Sequence, residues 1–336
     1  MSKQVRMADI AEKLNLSVVS VSKALAGKPG ISEENRAKVV ALARQMGYTG
    51  VRTPTRQSTD IHIGVLVADH YFAENAFYTQ LYRSLVLDSR SLGMTCLIEI
   101  VSSEAERFAT LPALITEEKV DGVLFMGNLE EGYVQMAESS GLPCLLLDFH
   151  LPGKPRDCIL SDNTDGGFAL TSHLLRQGRT KIGFVGSILS SSSIMDRYLG
   201  YQWAIRRAGL VPQELWRLED RGEDGRFIPL ALPETIPDAF LCSCDEVAYN
   251  LVIALQQAGY RVPEDVAVCG YDDYKFASLC RPQLTTYRVD IEQMSKQAVE
   301  LLHRKIVDPS SHAVQQILPG QMIIRDSSGI FRQNPS

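Results

Sequence analysis

The residues of this chain best suited to metal or redox chemistry are a cysteine pair and a set of histidines. Cys242 and Cys244 lie two residues apart on one face of a predicted strand, where they could form a metal site, a redox pair or packed thiols. No second Cys or His pair at ligand spacing lies near them in the sequence, which favours packing. The histidines, at positions 62, 70, 150, 173, 303 and 312, are too scattered for a zinc or triad pattern.

The sequence also lacks nucleotide-binding and hydrolase motifs. It contains no G-x-G-x-x-G segment, no Walker A segment and no G-x-S-x-G elbow. No nucleophile with a neighbouring acid or base stands out. We therefore expect a protein that is not an enzyme and that uses neither a cofactor nor a metal.

Length and composition are those of a globular protein. The chain has 336 residues, of which 45% are apolar and 22% charged, and no apolar run approaches the ~18 residues of a membrane span. The basic N-terminus is not followed by the apolar stretch of a secretory signal. The seven cysteines are odd in number and fall mostly in apolar runs, which predicts reduced thiols in a cytoplasmic protein.

Charge is distributed unevenly along the chain. Residues 1–59 contain ten Lys/Arg and four Asp/Glu, a net charge of +6, whereas the remainder carries −12. A small basic head on a large acidic body could bind a polyanion through the head. Charge alone is equally compatible with a solvated basic face, so the local pattern of the head has to decide.

The local pattern of the head predicts three short helices. Residues 8–14 have helical apolar spacing, Ser17 is a natural N-cap for a second helix, and Ser32 caps a third that Gly47 ends. Two helices across a tight turn, closed by a third, form a helix-turn-helix unit whose second helix enters the major groove of DNA. The expected inward residues are Ile10, Ala11, Leu14, Val21, Ala24, Leu25, Ala37, Val40, Ala41 and Ala43.

Residues 7–25 and 31–48 closely resemble the DNA-binding head of the lactose-repressor/galactose-repressor family. The resemblance places Val18, Val19 and Lys23 at base-reading positions. A lysine can donate to guanine and valines can pack on thymine methyls, although both valines could instead belong to the core. The resemblance also implies phosphate contacts from three serines, which are Ser17, Ser22 and Ser32.

The linker departs from the family pattern. Family members have a segment here that forms a hinge helix on DNA and inserts a leucine into the minor groove. Residues 49–60 are about two residues shorter, contain no leucine and have Pro54 in the middle. Because proline inside a helix costs roughly 3 kcal/mol, we do not expect a hinge helix. Arg52 and Arg56 remain candidate minor-groove or phosphate contacts.

The body alternates apolar strands with helical segments, which predicts parallel sheets covered on both faces. Two such halves suggest paired lobes with a cleft, in which ligands bind at the carboxyl ends of the strands. The predicted strands are Ile61–Ala68, Met94–Ile100, Gly122–Met126, Cys144–Asp148, Lys181–Val185, Ala239–Cys244 and Val266–Tyr271.

The body resembles the family's effector domain in four segments that follow in the expected order: 162–182, 197–201, 244–248 and 270–286. The implied fold is an all-α helix-turn-helix headpiece plus an α/β two-lobed periplasmic-binding-protein-like domain with parallel sheets. The effector contacts that the resemblance implies are Arg197, Asp272, Asp148, Ser191, Ser193, Cys244, Asp245, Phe77 and Tyr78. The alternative for Arg197 and Asp272 is a structural ion pair across the cleft.

Together these features predict a DNA-binding transcription regulator, and more specifically a repressor, that is controlled by a sugar or sugar derivative. Expected domains are a head at 1–48, a linker at 49–60 and an effector and dimerisation domain at 61–330, with lobe one at about 61–161 and 290–320 and lobe two at about 162–289. The expected DNA partner is a pseudo-palindromic operator bound by a homodimer. A sugar receptor without regulatory DNA binding and a sugar-processing enzyme are the alternatives.

Overall fold

We describe a computed structural model of the chain, covering residues 7–14, 16–25, 32–46, 61–74 and 76–329. The chain divides into two compact units, residues 1–60 and residues 61–336. Side chains at several positions of the first unit, Val19, Ser22 and Lys23 among them, lie outside this description, as do Arg52 and Arg56 of the linker.

The first unit contains three helices around a small apolar core. They are α1 (Met7–Leu14), α2 (Val18–Leu25) and α3 (Glu33–Gln45). Ser17 Oγ accepts a hydrogen bond of 3.0 Å from the Ser20 amide, which satisfies one of the free N–H groups at the start of α2. The buried core residues are Ile10, Ala11, Val21, Ala24, Leu25, Val39 and Ala43.

The predicted inward face of α3 is partly wrong. Ala37 and Ala41 are exposed, whereas Val39 and Ala43 are buried. The helix is rich in alanine and charged residues, so its apolar pattern defines the helical phase poorly, and packing against α1 and α2 sets the phase instead. The side chain of Val40 lies outside the description.

The second unit is an α/β structure with two parallel sheets. Among the described residues, one sheet has six strands in the order β11-β5-β4-β3-β1-β2 and the other has four in the order β7-β6-β8-β9. The strands are β1 (His62–Ala68), β2 (Thr95–Val101), β3 (Gly122–Met126), β4 (Cys144–Leu147), β5 (Cys158–Ser161), β6 (Ile182–Val185), β7 (Arg217–Leu218), β8 (Ala239–Cys242), β9 (Ala267–Cys269), β10 (Thr286–Arg288), β11 (Gln315–Leu318) and β12 (Gln321–Ile323).

Helices cover the sheets and connect their strands. None of those in the described residues is long and apolar enough to cross a membrane. They are α4 (Asp69–Glu74), α5 (Ala76–Ser91), α6 (Ser103–Arg107), α7 (Ala113–Thr116), α8 (Glu131–Glu138), α9 (Asn163–Arg176), α10 (Ser192–Arg207), α11 (Asp245–Gln257), α12 (Lys275–Leu279) and α13 (Ile291–Val307).

We call the six-stranded sheet with its helices lobe one and the four-stranded sheet with its helices lobe two. The inner strands of both sheets are buried along almost their whole length, as β1 and β3 illustrate, because helices cover both faces. Within the described residues, the chain leaves lobe one after β5 and returns from lobe two through β10 to α13. The strands β10 and β12 pair antiparallel beside these connections.

Two glycines allow α9 and α10 of lobe two to pack backbone against backbone. A Cβ on Gly167 would lie 2.2 Å from the Arg197 carbonyl oxygen, and a Cβ on Gly200 would lie 2.1 Å from the Thr164 carbonyl oxygen. Real Cβ atoms do not approach backbone this closely, so both positions require glycine. The close packing fixes the position of Arg197 on α10.

Candidate functional site

Eight of the nine predicted effector-binding residues line one small cavity at the carboxyl ends of the strands, between lobe one and lobe two. The cavity, called the inner cavity here, has a volume of about 20 Å³, room for about one water molecule. Both lobes contribute to it. The predicted residues that line it are Phe77, Tyr78, Asp148, Ser191, Ser193, Arg197, Cys244 and Asp272.

Arg197 is buried, and its guanidinium is held from several sides. Nε donates to Asn163 Oδ1 at 2.8 Å, and Nη1 donates to the Ser243 carbonyl oxygen. Nη2 lies 3.4 Å from Asp272 Oδ1, and the guanidinium stacks 3.8 Å from the centre of the Tyr271 ring. Burial is the largest single effect and lowers the pKa of Arg197, but Asp272, Asp148 and other neighbouring groups together outweigh it, and the pKa is raised.

Asp148 follows β4 and presents a carboxylate that is only partly satisfied. Tyr78 Oη donates to Asp148 Oδ2 at 2.7 Å, while Oδ1 is buried without a hydrogen-bond partner among the described residues. Burial raises the pKa of Asp148 to about 6, although nearby Arg197 and the Tyr78 hydroxyl lower it. The backbone of Asp148 is left-handed, with φ 69°. A ligand hydroxyl could supply the missing hydrogen bond.

Asp272 occupies the corresponding strand end in lobe two, after β9. Its φ of 101° is rare for a side chain other than glycine, which indicates local strain at the site. Burial raises the pKa of Asp272, and the charges of Arg197 and Arg221 act in the opposite direction. The next residue, Asp273, is paired at 2.7 Å with both Arg288 and Arg325, which anchors the turn.

Ser191, Ser193 and Cys244 add smaller polar groups to the cavity wall. Ser191 Oγ accepts from the Ile194 amide at 3.2 Å as the N-cap of α10, and it lies 3.0 Å from Ser193 Oγ. Burial raises the pKa of the Cys244 thiol to about 12, so the thiol is protonated at neutral pH. The described residues contain no group of three His, Cys, Asp or Glu side chains that could hold a metal.

Asp245 is the predicted contact that does not line the inner cavity. Its Oδ2 accepts a 2.8 Å hydrogen bond from the Tyr274 amide, and its Oδ1 is buried next to Gly270. Because Tyr274 follows the Asp272–Asp273 turn, Asp245 supports that turn. In this structure it is therefore placed to position Asp272.

Three lining residues were not predicted from the sequence: Ile194, which adds an apolar side chain, and the polar residues Tyr71 and Arg221. Tyr71 belongs to α4, a helix of six residues that is not among the elements predicted from the sequence, and its hydroxyl lies 3.4 Å from the Ser190 carbonyl oxygen of lobe two. Burial raises the pKa of Tyr71 to about 12. Arg221 follows β7, a strand of two residues with no apolar signal in the sequence. Tyr71 and Arg221 also line a larger adjacent cavity of about 770 Å³, called the outer cavity here.

The chemistry of the two cavities suits a polyhydroxylated ligand. The inner cavity combines two guanidinium groups, two carboxylates, two serine hydroxyls and three aromatic rings, two of which are tyrosines with hydroxyls of their own. Such groups can hydrogen-bond the edges of a sugar and pack against its apolar face. A sugar is larger than the inner cavity, so sugar binding requires the side chains that line the cavity to move outward or the two lobes to separate.

In the head, the residues assigned to DNA contacts are described in part. Val18 is 49% exposed at the start of α2, whereas Val21 on the same helix is fully buried. Ser17 and Ser32 are exposed, and each accepts a hydrogen bond from a backbone amide near the start of a helix. Exposed Val18 and Ser17 are accessible to a partner.

Comparison with known proteins finds relatives whose similarity extends over almost the whole chain. A family model described as a periplasmic binding protein-like domain matches residues 171–328. The ribose operon repressor of Haemophilus influenzae is 26% identical over 327 residues, covering 96% of this chain and 98% of that protein. The transcriptional repressor PurR of Aliivibrio salmonicida is 26% identical over 308 residues, covering 89% of this chain and 92% of that protein.

Solved structures share the fold over almost the full length. A lac repressor dimer bound to operator and the anti-inducer ONPF aligns with a TM-score of 0.70 at 23% identity, covering 98% of this chain and 100% of that chain. The regulator CelR in complex with cellobiose aligns with a TM-score of 0.70 at 21% identity, covering 96% of this chain and 100% of that chain. At these identities the likeness establishes a common fold.

Proposed function

This chain is related over almost its whole length to transcriptional repressors of the lactose-repressor/galactose-repressor family, and we propose that it is a DNA-binding repressor controlled by a sugar-like effector. The observation that carries the proposal is the convergence of Arg197, Asp272 and Asp148 on one cavity between two lobes. A structural ion pair would explain Arg197 and Asp272 but not the half-satisfied carboxylate of Asp148.

Effector binding would act on operator affinity through the angle between the lobes. Several contacts cross from lobe one to lobe two around the cavity, including Asp69 with Arg226 at 2.9 Å and the His150 amide with Ser192 Oγ at 2.9 Å. A ligand that adds contacts across the cleft favours one degree of closure. A coupling free energy of about 1–3 kcal/mol would change operator affinity about 5- to 150-fold.

The head is proposed to read DNA as a helix-turn-helix unit with α2 in the major groove. Val18, Val19 and Lys23 would contact bases, and Ser17, Ser22 and Ser32 would contact phosphates. Exposed Val18 is compatible with this role because α2 has other residues, such as Val21 and Leu25, to fill the core. Arg52 and Arg56 would add linker contacts to the minor groove or the phosphates.

A homodimer is proposed from the exposed apolar edge of lobe one. Strand β2 is the outermost strand of the six-stranded sheet, and α5 packs beside it. An edge strand with exposed apolar side chains is suited to association with a second copy. Two heads on a two-fold axis would read a pseudo-palindromic operator. The exposed apolar residues are Ile100 on β2, Val86 and Leu87 on α5, and Leu92 between the two elements.

DNA recognition can be tested without knowing the operator. Full-length protein is used to select duplexes from a random-sequence library, and affinity for the selected duplex is measured by fluorescence anisotropy. Selection should yield a pseudo-palindrome, and Lys23→Ala should lose the preference for it while retaining weak non-specific binding of about 10⁻⁴–10⁻⁶ M. Lys13→Ala, a change to an exposed lysine of α1, is the matched control. Failure to enrich any sequence would contradict the proposal.

Effector control can be tested by a thermal-shift screen followed by anisotropy. Sugars, sugar acids, sugar phosphates and nucleobases are screened, and a ligand at a hundred times its Kd should stabilise the protein by about 2.7 kcal/mol. A stabilising compound should also change affinity for the selected duplex. A compound that binds the cavity and leaves DNA affinity unchanged would support the receptor alternative instead.

A further inference from the structure

Arg221 stands at the junction of the inner and outer cavities and lines both. Its side chain is 7% exposed. The guanidinium lies 4.6 Å from the centre of the Phe227 ring and close to the Tyr71 hydroxyl, whose pKa its charge lowers against the larger effect of burial. The positive charge of a buried arginine requires hydrogen-bond acceptors or a negative charge close to it.

The two arginines of the inner cavity differ in how far the protein satisfies them. Arg197 donates hydrogen bonds to Asn163 and to the Ser243 carbonyl oxygen and also pairs with Asp272. Arg221 Nε, in contrast, is buried without a hydrogen-bond partner among the described residues. The protein therefore uses much of the hydrogen-bonding capacity of Arg197 and less of that of Arg221.

The ion-pair partner of Arg221 is itself occupied by other donors. Asp220 Oδ2 lies 3.5 Å from Arg221 Nε, too long for a strong charge-assisted hydrogen bond. Asp220 Oδ1 accepts from the Ser187 amide at 2.7 Å, and Oδ2 accepts from Ser243 Oγ at 2.7 Å. Arg221 thus retains donors for an additional anionic partner.

We propose that Arg221 binds a negatively charged group of the effector, so that the effector is an acidic sugar derivative and not a neutral sugar. This inference rests on the proposed function, whose effector class it narrows. A carboxylate or a phosphate would fit the planar donor fork of Arg221, and a ligand hydroxyl would donate to Asp148 Oδ1. One ligand would then supply partners to Asp148 Oδ1 of lobe one and to Arg221 Nε of lobe two, both buried without a hydrogen-bond partner among the described residues.

The lining of the outer cavity indicates where the charged group of the effector would lie. The wall of this cavity contains several carboxylates, which would repel an anion but accept hydrogen bonds from hydroxyls. Glu106 already accepts from the Glu130 amide, and Glu219 is paired with Arg217. The expected orientation therefore has the acidic group at Arg221.

The test measures binding of matched compounds to the full-length protein by isothermal titration calorimetry, in the absence of DNA. There are three sets, and the members of each set share a carbon skeleton. The sets are glucose, gluconate and glucose 6-phosphate; galactose, galactonate and galactose 6-phosphate; and ribose, ribonate and ribose 5-phosphate. In at least one set an acidic member should bind at least about tenfold more tightly than the neutral sugar. Preference for the acid or for the phosphate identifies which anion Arg221 takes.

Variants then assign the preference to Arg221. Arg221→Gln should weaken binding of the preferred acidic member about 10- to 100-fold and reduce its advantage over the neutral sugar. Arg261→Gln, a change to an exposed and distant arginine of lobe two, is the control. Because Arg221→Gln leaves Asp220 without its ion pair, the double variant Asp220→Asn/Arg221→Gln is measured as well.

Three outcomes would overturn the inference. They are a neutral member that binds as tightly as its acidic partners, a panel in which no acidic member binds, and folded Arg221 variants that keep the wild-type preference. The comparison within each set uses wild-type protein, so it holds even if a variant fails to fold. Since DNA is absent, these outcomes are independent of the operator selection that tests the proposed function.

Discussion

The two walls of the inner cavity are built on different physical principles. The wall from lobe two is held by hydrogen bonds: Arg197 is bonded to Asn163 and Ser243, and Asp245 supports the turn that carries Asp272. The wall from lobe one consists mainly of aromatic rings packed edge to face. Tyr78 lies 5.0 Å from Tyr71 and 5.2 Å from Phe77, measured between ring centres.

This difference suggests a division of roles between the lobes. Directional hydrogen bonds fix the lobe-two groups before a ligand arrives, which lowers the entropy lost on binding. Aromatic packing is less directional, so the rings of lobe one can adjust to a ligand while keeping their apolar contacts. Variants in the lobe-two wall should therefore affect stability and binding together, whereas variants in the lobe-one wall should separate the two properties.

The largest effect is expected for Arg197→Gln. The change removes a buried cation and leaves Asp272 buried without its charged partner, which should lower the free energy of unfolding by about 3–5 kcal/mol. Effector binding should be lost as well. Urea unfolding at pH 7 measures the first effect and calorimetry the second. Arg206→Gln, at an exposed position of the same helix, should change stability by less than about 0.5 kcal/mol.

A second comparison uses one glycine from each lobe. Gly200→Ala would place a Cβ 2.1 Å from the Thr164 carbonyl oxygen and force α9 and α10 apart, at an expected cost of about 3 kcal/mol. Gly132→Ala, at an exposed position of α8 in lobe one, would place a Cβ with nothing within 4 Å and should raise stability by up to about 1 kcal/mol. Equal effects of the two changes in thermal unfolding would contradict the assigned role of α9–α10 packing.

The sequence predicts the inner strands well because their burial is encoded locally. The runs at 122–126 and 144–147 contain no polar side chain, and the structure places β3 and β4 there. The short edge strand β7 is missed because Arg217 and Leu218 carry no strand pattern, and pairing with β6 creates the strand. Arg221 follows β7, so its place in the cavity could not be predicted either.

The structure brings together most of the side chains that the sequence proposes as effector contacts, while their role in binding stays a prediction. Arg197 and Asp272 are placed by their resemblance to the family's effector domain, and both line the inner cavity. Asp245 has the carboxylate expected of an effector contact, but it accepts a hydrogen bond from the Tyr274 amide and does not line the cavity. This orientation depends on where the fold places the Asp272–Asp273 turn. Tyr71 is missed because α4, the six-residue helix of lobe one that carries it, is not among the elements predicted from the sequence.

In the lobe-one wall, Asp148→Asn should stabilise the protein while weakening effector binding. Burial raises the folded-state pKa of Asp148 to about 6 from 3.8, so the ionised carboxylate destabilises the fold at pH 7 by about 2–3 kcal/mol. The folded state binds more protons between pH about 4 and 6, and wild-type stability should therefore fall as pH rises through this range. In urea unfolding from pH 4 to 8, the gain from Asp148→Asn should be absent near pH 4, grow between pH 4 and 6 and be complete above about pH 6.

The smallest effect is expected for Tyr78→Phe, which keeps the ring and removes one hydroxyl. The Tyr78 hydroxyl donates at 2.7 Å to Asp148 Oδ2, and without it neither carboxylate oxygen has a partner among the described residues. Unfolding should become easier by about 1–2 kcal/mol at pH 7, and by less near pH 4.5, where Asp148 is protonated and the bond to its charged form no longer matters. The folded-state pKa of Asp148, measured by NMR titration, should rise further in this variant. An unchanged Asp148 pKa would mean that other groups hold the carboxylate, and that the lobe-one wall is fixed by hydrogen bonds as firmly as the lobe-two wall.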